Sequence, residues 1–302
     1  MSKLSKKRLF ITIYIATFLA AFHVFLMVYI NSSFLSQFIS EKAVSLLYII
    51  GSLATIVALV VIPIILRRFG NYATLITFTI LEFLILFAMA FVREATIIVP
   101  LFMAHWVVSQ IMLINIDVFF ESSQKKESDT GSKRAILLTI INLALILSIL
   151  LVGFILKDDE FWKVYLMSAV ILIPFLLIIL IKFRKLKDPI YESHKILTTV
   201  KKVWKSKAIR NIFISQLFLK FFYSWMVVYM PIYLHEYVGF DWPTISIIFT
   251  IMLLPFILFE IPAGRAADKW CGEKELLSSG FIIIALFTMV IPFISIPSFI
   301  IW

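Results

Sequence analysis

Long apolar runs, separated by short charged segments, make up almost the whole chain. Nine runs are about 20 residues long, which is the length that an α-helix needs to cross the roughly 30 Å hydrocarbon core of a bilayer. They cover residues 9–31, 43–66, 72–92, 96–119, 135–156, 161–182, 209–234, 243–263 and 276–296. These runs lack the apolar–polar alternation of barrel strands, so the pattern predicts an all-α bundle of about nine transmembrane helices.

The composition supports the same class of protein. Hydrophobic residues make up 62% of the 302 residues and charged residues 15%, whereas soluble domains average about 45–50% apolar and about 25% charged residues. We therefore expect an integral membrane protein of the cell inner membrane.

Cofactor and catalytic signatures are missing from the sequence. The single cysteine, Cys271, excludes an intramolecular disulfide and a cysteine-rich metal cluster. The sequence has no Walker-type glycine loop and no paired metal-ligand spacing. We therefore expect neither a cofactor nor a metal, and no enzymatic activity.

The distribution of Lys and Arg orients the predicted helices, because cytoplasmic loops carry an excess of these residues. With the N-terminus inside, cytoplasmic segments hold 23 of the 28 basic residues and the opposite segments hold four. The N-terminus is therefore predicted to be cytoplasmic. The net charge of +10 then reflects topology and contact with anionic lipid headgroups, and we expect no binding of nucleic acid.

One basic segment divides the chain into two sets of helices. Residues 184–208 are a predicted cytoplasmic linker between a six-helix N-terminal bundle, residues 1–183, and an incomplete C-terminal bundle, residues 209–302. Apolar residues between 197 and 204 predict one face of a surface helix at the level of the lipid headgroups.

A polar motif lies in the loop between predicted helices 8 and 9. Its residues are Gly264, Arg265, Asp268, Lys269, Gly272 and Lys274. A weaker copy, Arg67, Arg68 and Gly70, occupies the matching loop between predicted helices 2 and 3. Matching loops in the two sets of helices indicate an internal repeat.

This motif resembles the loop motif of the major facilitator superfamily of secondary transporters. The spacing departs from the family pattern by one inserted residue, since Trp270 and Cys271 stand where the family usually has one position. In the first copy, Arg67 stands where the family has Asp, and Pro63 stands where it has Gly. Together with six helices, a linker and a cytoplasmic N-terminus, the resemblance implies the major facilitator fold. A typical member has twelve helices, so we expect this sequence, which ends at Trp302, to be truncated.

The resemblance implies transport of a small solute by alternating access, in which the two halves rock around a midplane site. We expect a proton or solute gradient to supply the energy, and the protein to act as a monomer. The motif is implied to be a latch on the cytoplasmic side, and the alternative is that its charges only maintain the orientation. The alternative function is a non-transporting membrane sensor or scaffold of the same fold.

Ionisable residues near the middle of membrane helices are costly, so each is a functional hypothesis. They are His23, Glu82, His105 and Lys220. The resemblance implies that helices 1, 4 and 7 line the cavity, which includes the two histidines and Lys220. Gln216 and Tyr223 share a helix face with Lys220. Such a cavity favours an anionic or hydroxyl-bearing solute, and a histidine or Glu82 is a candidate carrier of a coupling proton. The alternative for each residue is a structural hydrogen bond or ion pair.

Further charges lie at the predicted cytoplasmic mouth. Asp117 and Glu121 are one turn apart at the end of predicted helix 4, within reach of Lys133 or Arg134 at the start of helix 5. Glu260 lies one turn before the loop motif and is a candidate member of the same latch. The alternative is that these are solvated charges at helix ends.

Overall fold

Every regular element in the part of the chain that the computed structural model describes is a helix. The described residues are 3–124, 130–156, 159–184, 186, 188, 189, 191, 196–266 and 272–290. Their α-helices are α1 (Lys3–Val28), α2 (Asn31–Ser36), α3 (Glu41–Phe91), α4 (Ala95–Ser123), α5 (Thr130–Ile155), α6 (Phe161–Ile178), α7 (Ile196–Lys205), α8 (Lys207–Ile232), α9 (Trp242–Ala266) and α10 (Gly272–Val290). Short π-helical segments, Ile179–Phe183 and Tyr233–Tyr237, extend α6 and α8. The all-α prediction is confirmed.

Seven helices of the described residues are long and apolar enough to cross a membrane. They account for the eight predicted runs from 9–31 to 243–263, with ends that differ by a few residues, because α3 covers two of the runs. The last predicted run, 276–296, falls on α10 as far as Val290. The chain is therefore a polytopic membrane protein.

α3 contains two predicted spans because the chain reverses at Gly70. This residue has a non-helical backbone, with φ 79° and ψ 161°, inside an element of 51 residues. In the first half, Gly51 lies against the ring of Trp106 on α4, and in the second half Glu82 contacts His105 on the same helix. The two halves of α3 therefore run antiparallel at the same level of α4. Glycine adopts positive φ readily, so Gly70 permits this reversal.

The first bundle is held together by close helix packing. α1 packs against α4, α5 and α6, and α3 packs against α4 and α6. Ala16 and Ala20 of α1 are fully buried, and such small side chains let helices approach closely in lipid, where association depends on packing. Phe34 packs against Phe161 and Tyr165, with ring centroids 5.9 and 4.6 Å apart. These contacts fix the connection between α1 and α3 onto α6.

The second set of helices packs on the first mainly through α5 and α9, with a smaller contact between α2 and α8. A Cβ atom at Gly153 of α5 would lie 2.6 Å from Ser246 Cβ and 3.3 Å from Pro243 Cα. The missing side chain at Gly153 therefore allows the two helices to touch. α7 lies inside the predicted linker, whose boundaries stay a prediction.

We name the two ends of the bundle after one residue each. Arg134 lies near the start of α5 and Asp159 follows its end, so the two mark opposite ends. The Arg134 end also carries the Gly70 turn, and the Asp159 end carries α2. By the predicted orientation, the Arg134 end faces the cytoplasm.

Candidate functional site

A cavity of about 690 Å³ lies between the two sets of helices. Its wall contains residues of α1, α2, α4, α5, α8, α9 and α10. Small-molecule sites have volumes of roughly 300–1,000 Å³. Polar residues on the wall include Asn31, Ser109, Gln110, Asn142 and Lys220. The cavity is therefore large enough, and polar enough in places, to hold a small solute between the halves.

Lys220, the only Lys or Arg of the described lining, places an amino group on the cavity wall. Its Nζ atom lies 5.7 Å from the centre of the Tyr223 ring, which also lines the cavity. Tyr223 on α8 and Tyr29, which directly follows α1, both line the cavity. Within the described parts of the chain, no carboxylate forms an ion pair with Lys220.

Three ionisable side chains meet inside the first bundle, directly beside the cavity. His105 Nδ1 lies 2.5 Å from Glu82 Oε1, and His23 Nε2 lies 3.7 Å from the same oxygen. The side chains of Glu82 and His23 are 0% exposed and that of His105 is 3% exposed. Because His105 also lines the cavity, it connects the buried carboxylate to the cavity. Glu82, whose partner the sequence does not identify, thus pairs with both histidines.

This cluster of Glu82, His105 and His23 can change its charge by exchanging protons. It carries one negative charge when both imidazoles are neutral and none when one of them is protonated. A net charge in the hydrocarbon region is costly, and an imidazolium beside the carboxylate would leave the cluster without one. Glu82 Oε2 and both ring nitrogens of His23 have no hydrogen-bond partner among the described residues. Those atoms are available to a proton or a water molecule.

Hydrogen bonds from α6 hold the helices around this cluster. The Ser168 hydroxyl donates to the backbone oxygen of His23 at 2.8 Å, and the Tyr165 hydroxyl donates to Asn31 Oδ1 at 2.7 Å. Ser168 and Tyr165 are buried, so water does not compete for these bonds. The position of His23 beside Glu82 is therefore fixed by its neighbours.

The side chains of Asp117, Glu121 and Arg134, which the sequence assigns to the cytoplasmic mouth, meet at the Arg134 end. Arg134 Nη1 lies 2.5 Å from Asp117 Oδ1 and 3.1 Å from Glu121 Oε1. These contacts join α4 to α5 within the first bundle. All three side chains are more than 40% exposed, and exposed ion pairs contribute only about 0–1 kcal/mol to stability.

Contacts between the two halves occur at the Asp159 end. Trp242 Nε1 donates a hydrogen bond to Asp159 Oδ1 at 2.7 Å, and His235 Nε2 lies 3.0 Å from the same oxygen. The hydroxyls of Ser45 and Tyr229 lie 2.8 Å apart. These bonds link α3 and the α5–α6 connection to α8 and α9, so the halves are joined at this end.

A comparison with known families identifies the architecture. The family model described as Major Facilitator Superfamily matches residues 11–302. The chain belongs to the Major Facilitator Superfamily. The resemblance drawn from the loop motif is confirmed. As a member of a transporter family, the protein carries a small solute across a membrane, and the assignment points away from an enzyme. No curated protein matches the chain.

The second copy of the superfamily motif lies only partly within the described residues. Asp268 and Lys269 lie outside them. The other motif and latch residues lie on the last turns of α9 and the first turn of α10, namely Glu260, Gly264, Arg265, Gly272 and Lys274. Lys274 is exposed. The latch role of this copy stays a prediction.

The predicted cavity residues of this superfamily member fall into three groups. His105, Lys220 and Tyr223 line the cavity. His23 is fully buried and contacts Glu82. Gln216 is exposed and does not belong to the described cavity lining, although it shares a helix face with Lys220.

The first copy of the motif has a partner that sequence reasoning missed. Both carboxylate oxygens of Asp188, in the linker, accept hydrogen bonds from the backbone N–H of Asn71, each at 3.1 Å. Asn71 begins the helical segment after Gly70, so the carboxylate caps the positive end of that segment. Arg67 and Arg68 are exposed beside it. The linker is therefore anchored on the Gly70 turn.

Tyr191, three residues after Asp188, is a second contact between the linker and the first bundle. It packs against Ile62, Leu66 and Ile111. Burial, followed by the negative charge of Asp188, raises the pKa of the Tyr191 hydroxyl to about 12. The hydroxyl therefore stays neutral well above the pH at which free tyrosine ionises.

Replacing Asp188 by Ala is expected to lower the free energy of unfolding by about 1 kcal/mol, because the helix after Gly70 loses its cap. Amide exchange at Asn71 should also become faster. Thermal unfolding and hydrogen exchange of the purified protein measure the two effects. Glu94→Ala is the matched control, since Glu94 precedes α4 without a capping hydrogen bond from its side chain. Equal losses in the two variants would contradict the capping role.

Proposed function

We propose that this superfamily member is a proton-coupled secondary transporter that moves a small solute by alternating access. One observation carries the proposal: His105 lies on the wall of the cavity and contacts the buried Glu82 carboxylate at 2.5 Å. A proton-exchanging group is therefore in contact with the space that holds the solute.

The two halves supply the moving parts. Rocking about the cavity would break the contacts of Asp159 with Trp242 and His235, and would bring the halves together at the Arg134 end. Those polar contacts are few and partly exposed to water, with 45% of the Asp159 side chain exposed. Such contacts cost little free energy to break, which suits a gate that opens in every cycle.

Proton coupling follows from the different surroundings of the Glu82 cluster in the two states. When water fills the cavity, His105 can exchange a proton with it. When the cavity closes around a solute, water leaves and the neutral, proton-bound form is favoured. Solute and proton then promote each other's binding to the same degree, because a coupling free energy is reciprocal.

We place the protein in the cell inner membrane. In the proposed orientation, its N-terminus and its Arg134 end face the cytoplasm. The basic linker then contacts anionic headgroups of the inner leaflet. Each chain carries its own cavity, so we propose that a monomer is sufficient for transport.

Purified protein in liposomes loaded with the pH-sensitive dye pyranine tests this function. A panel of radiolabelled organic acids, amino acids, sugars and nucleosides is added under a pH gradient. We expect one class to enter, to move protons with it and to accumulate only while the gradient lasts. Entry without proton movement would contradict the coupling. Binding without entry would favour the sensor or scaffold alternative.

Cross-linking the Asp159 end is expected to abolish uptake reversibly. The variant carries Gly153→Cys and Ser246→Cys on a Cys271→Ser background. The Cβ atoms would start 2.6 Å apart, and a disulfide needs about 3.5–4.5 Å, so a small separation of α5 and α9 suffices. Uptake by the oxidised protein should stop, and reduction should restore it to the lowered level of the reduced variant, because the Cβ of Gly153→Cys crowds Ser246. Each single-cysteine variant is the control. Full uptake by the cross-linked protein would exclude opening at this end.

A further inference from the structure

We infer that the solute is an amphipathic organic anion, a carboxylate or similar group on an apolar body about the size of an aromatic ring. The inference rests on the proposed function, in which the cavity between the two halves holds the solute. It concerns the chemistry of the cavity wall and is independent of the energy source.

The charge of the wall favours an anion. Lys220 is the one Lys or Arg among the described residues that line the cavity, and that lining contains no Asp or Glu. The carboxylate of Glu82 is buried behind His105 and already pairs with it. It therefore does not balance Lys220. The Lys220 side chain is exposed and lines the cavity, so an anionic solute that enters the cavity can form the charge-assisted contact that no described carboxylate makes.

The apolar part of the wall favours a ring or another flat apolar group. Aromatic side chains reach the cavity from four helices, and they include Phe25, Tyr29, Trp106, Phe222, Phe249 and Phe256. Tyr29 and Phe249 stack across the boundary between the halves, with ring centroids 4.5 Å apart. Aromatic surfaces of this kind bind apolar groups and offer offset-stacked or edge-to-face contacts to a further ring.

The same wall disfavours solutes that carry a positive charge. A cationic solute would be repelled by Lys220. A zwitterionic amino acid would need a second, negative group for its ammonium, which the described lining lacks. An anion with an apolar body satisfies Lys220 and the aromatic side chains together.

Calorimetric titration of the full chain in neutral-lipid nanodiscs tests this inference. The probes are 3-phenylpropionate, 3-phenylpropanol and 3-phenylpropylamine, which share one apolar body and differ in charge, together with propionate, which lacks the ring. Empty nanodiscs correct for partitioning of the probes into lipid. We expect 3-phenylpropionate to bind most tightly and the amine least. Failure of 3-phenylpropionate to bind folded protein, or equal binding of the alcohol, overturns the inference.

Lys220→Gln should weaken 3-phenylpropionate binding about tenfold or more, the usual effect of losing a charge-assisted contact. Binding of the alcohol should change little, and Lys220→Arg should largely retain binding of the acid. Lys207→Gln is the control, because Lys207 is exposed near the start of the same helix. An unchanged affinity of Lys220→Gln for the acid overturns the inference.

These outcomes separate the solute from the energy source. The titration uses no gradient, so a carboxylate that binds through Lys220 but enters liposomes without protons would overturn only the proton coupling. Proton-coupled uptake of a sugar or a cation would support the proposed function and would overturn the inference about the anion. Uptake assays use 3-phenylpropanesulfonate, whose permanent charge prevents the leakage through lipid that a neutral carboxylic acid shows.

Discussion

Replacing Glu82 by Gln is expected to abolish accumulation of solute against its gradient while leaving exchange of solute across the membrane. Glutamine has the shape of glutamate and still contacts His105, but it cannot take up or release a proton. One pH unit corresponds to 1.36 kcal/mol, which is a tenfold concentration ratio. For one proton per solute, the accumulation ratio at a gradient of one pH unit should therefore fall from about 10 to about 1.

Two assays on the same liposomes separate this effect from misfolding. Accumulation is measured with an imposed pH gradient, and exchange is measured with labelled solute outside and unlabelled solute inside at equal pH. The control is Glu275→Gln, since Glu275 is exposed in the first turn of α10. Normal accumulation by Glu82→Gln would show that the pair of Glu82 and His105 is structural. Loss of both activities would show that the pair is needed to hold the fold.

The positions of the helices could be predicted from the sequence because membrane spans are set by local hydrophobicity and bilayer thickness. α3 combines two predicted spans in one element. The turn at Gly70 connects these two spans without any intervening loop, so their helices follow each other directly. The superfamily also followed from the sequence, since the loop motif, its weaker copy and the order of helices and linker can all be read along the chain.

Contacts within the site depend on which helices are neighbours, and local patterns do not contain that information. His23, Glu82 and His105 stood out as costly ionisable residues, but their meeting around one carboxylate oxygen requires the packing of α1, α3 and α4. Helical periodicity placed Gln216 and Lys220 on one face. It could not show how far along α8 the cavity extends, and Gln216 lies outside the described lining.

The role of Asp188 was missed for the same reason. It is 117 residues from Asn71, whose backbone N–H it caps, and it lies in a segment read mainly for its basic charge. The available signal was an acidic residue before Pro189 in an otherwise basic linker. In the first copy of the motif Arg67 occupies the position where the superfamily has Asp. The carboxylate at this turn comes from the linker, so a pattern within the loop alone could not identify it.

Enlarging Gly153 is expected to have the second large effect on transport. In Gly153→Val the new side chain would meet Ser246 and the backbone of Pro243, with Cβ 2.6 Å from Ser246 Cβ. Overpacking of this kind costs about 1–3 kcal/mol, and it acts only in the state in which α5 and α9 touch. That cost changes the ratio of the two states by about 5–150-fold. Uptake should therefore fall about tenfold or more, because the cycle needs both states.

A distance measurement shows whether the loss comes from the gate. Spin labels on Leu46→Cys and Tyr233→Cys, at exposed positions of α3 and after α8, report the separation of the halves at the Asp159 end on a Cys271→Ser background. Gly153→Val should lengthen this distance. Gly280→Val is the matched control, since a Cβ at Gly280 meets nothing within 4 Å, and it should change neither distance nor uptake. A Gly153→Val protein with normal uptake at the longer distance would show that closure of this end is not part of the transport cycle, since α5 and α9 would then be separated throughout transport.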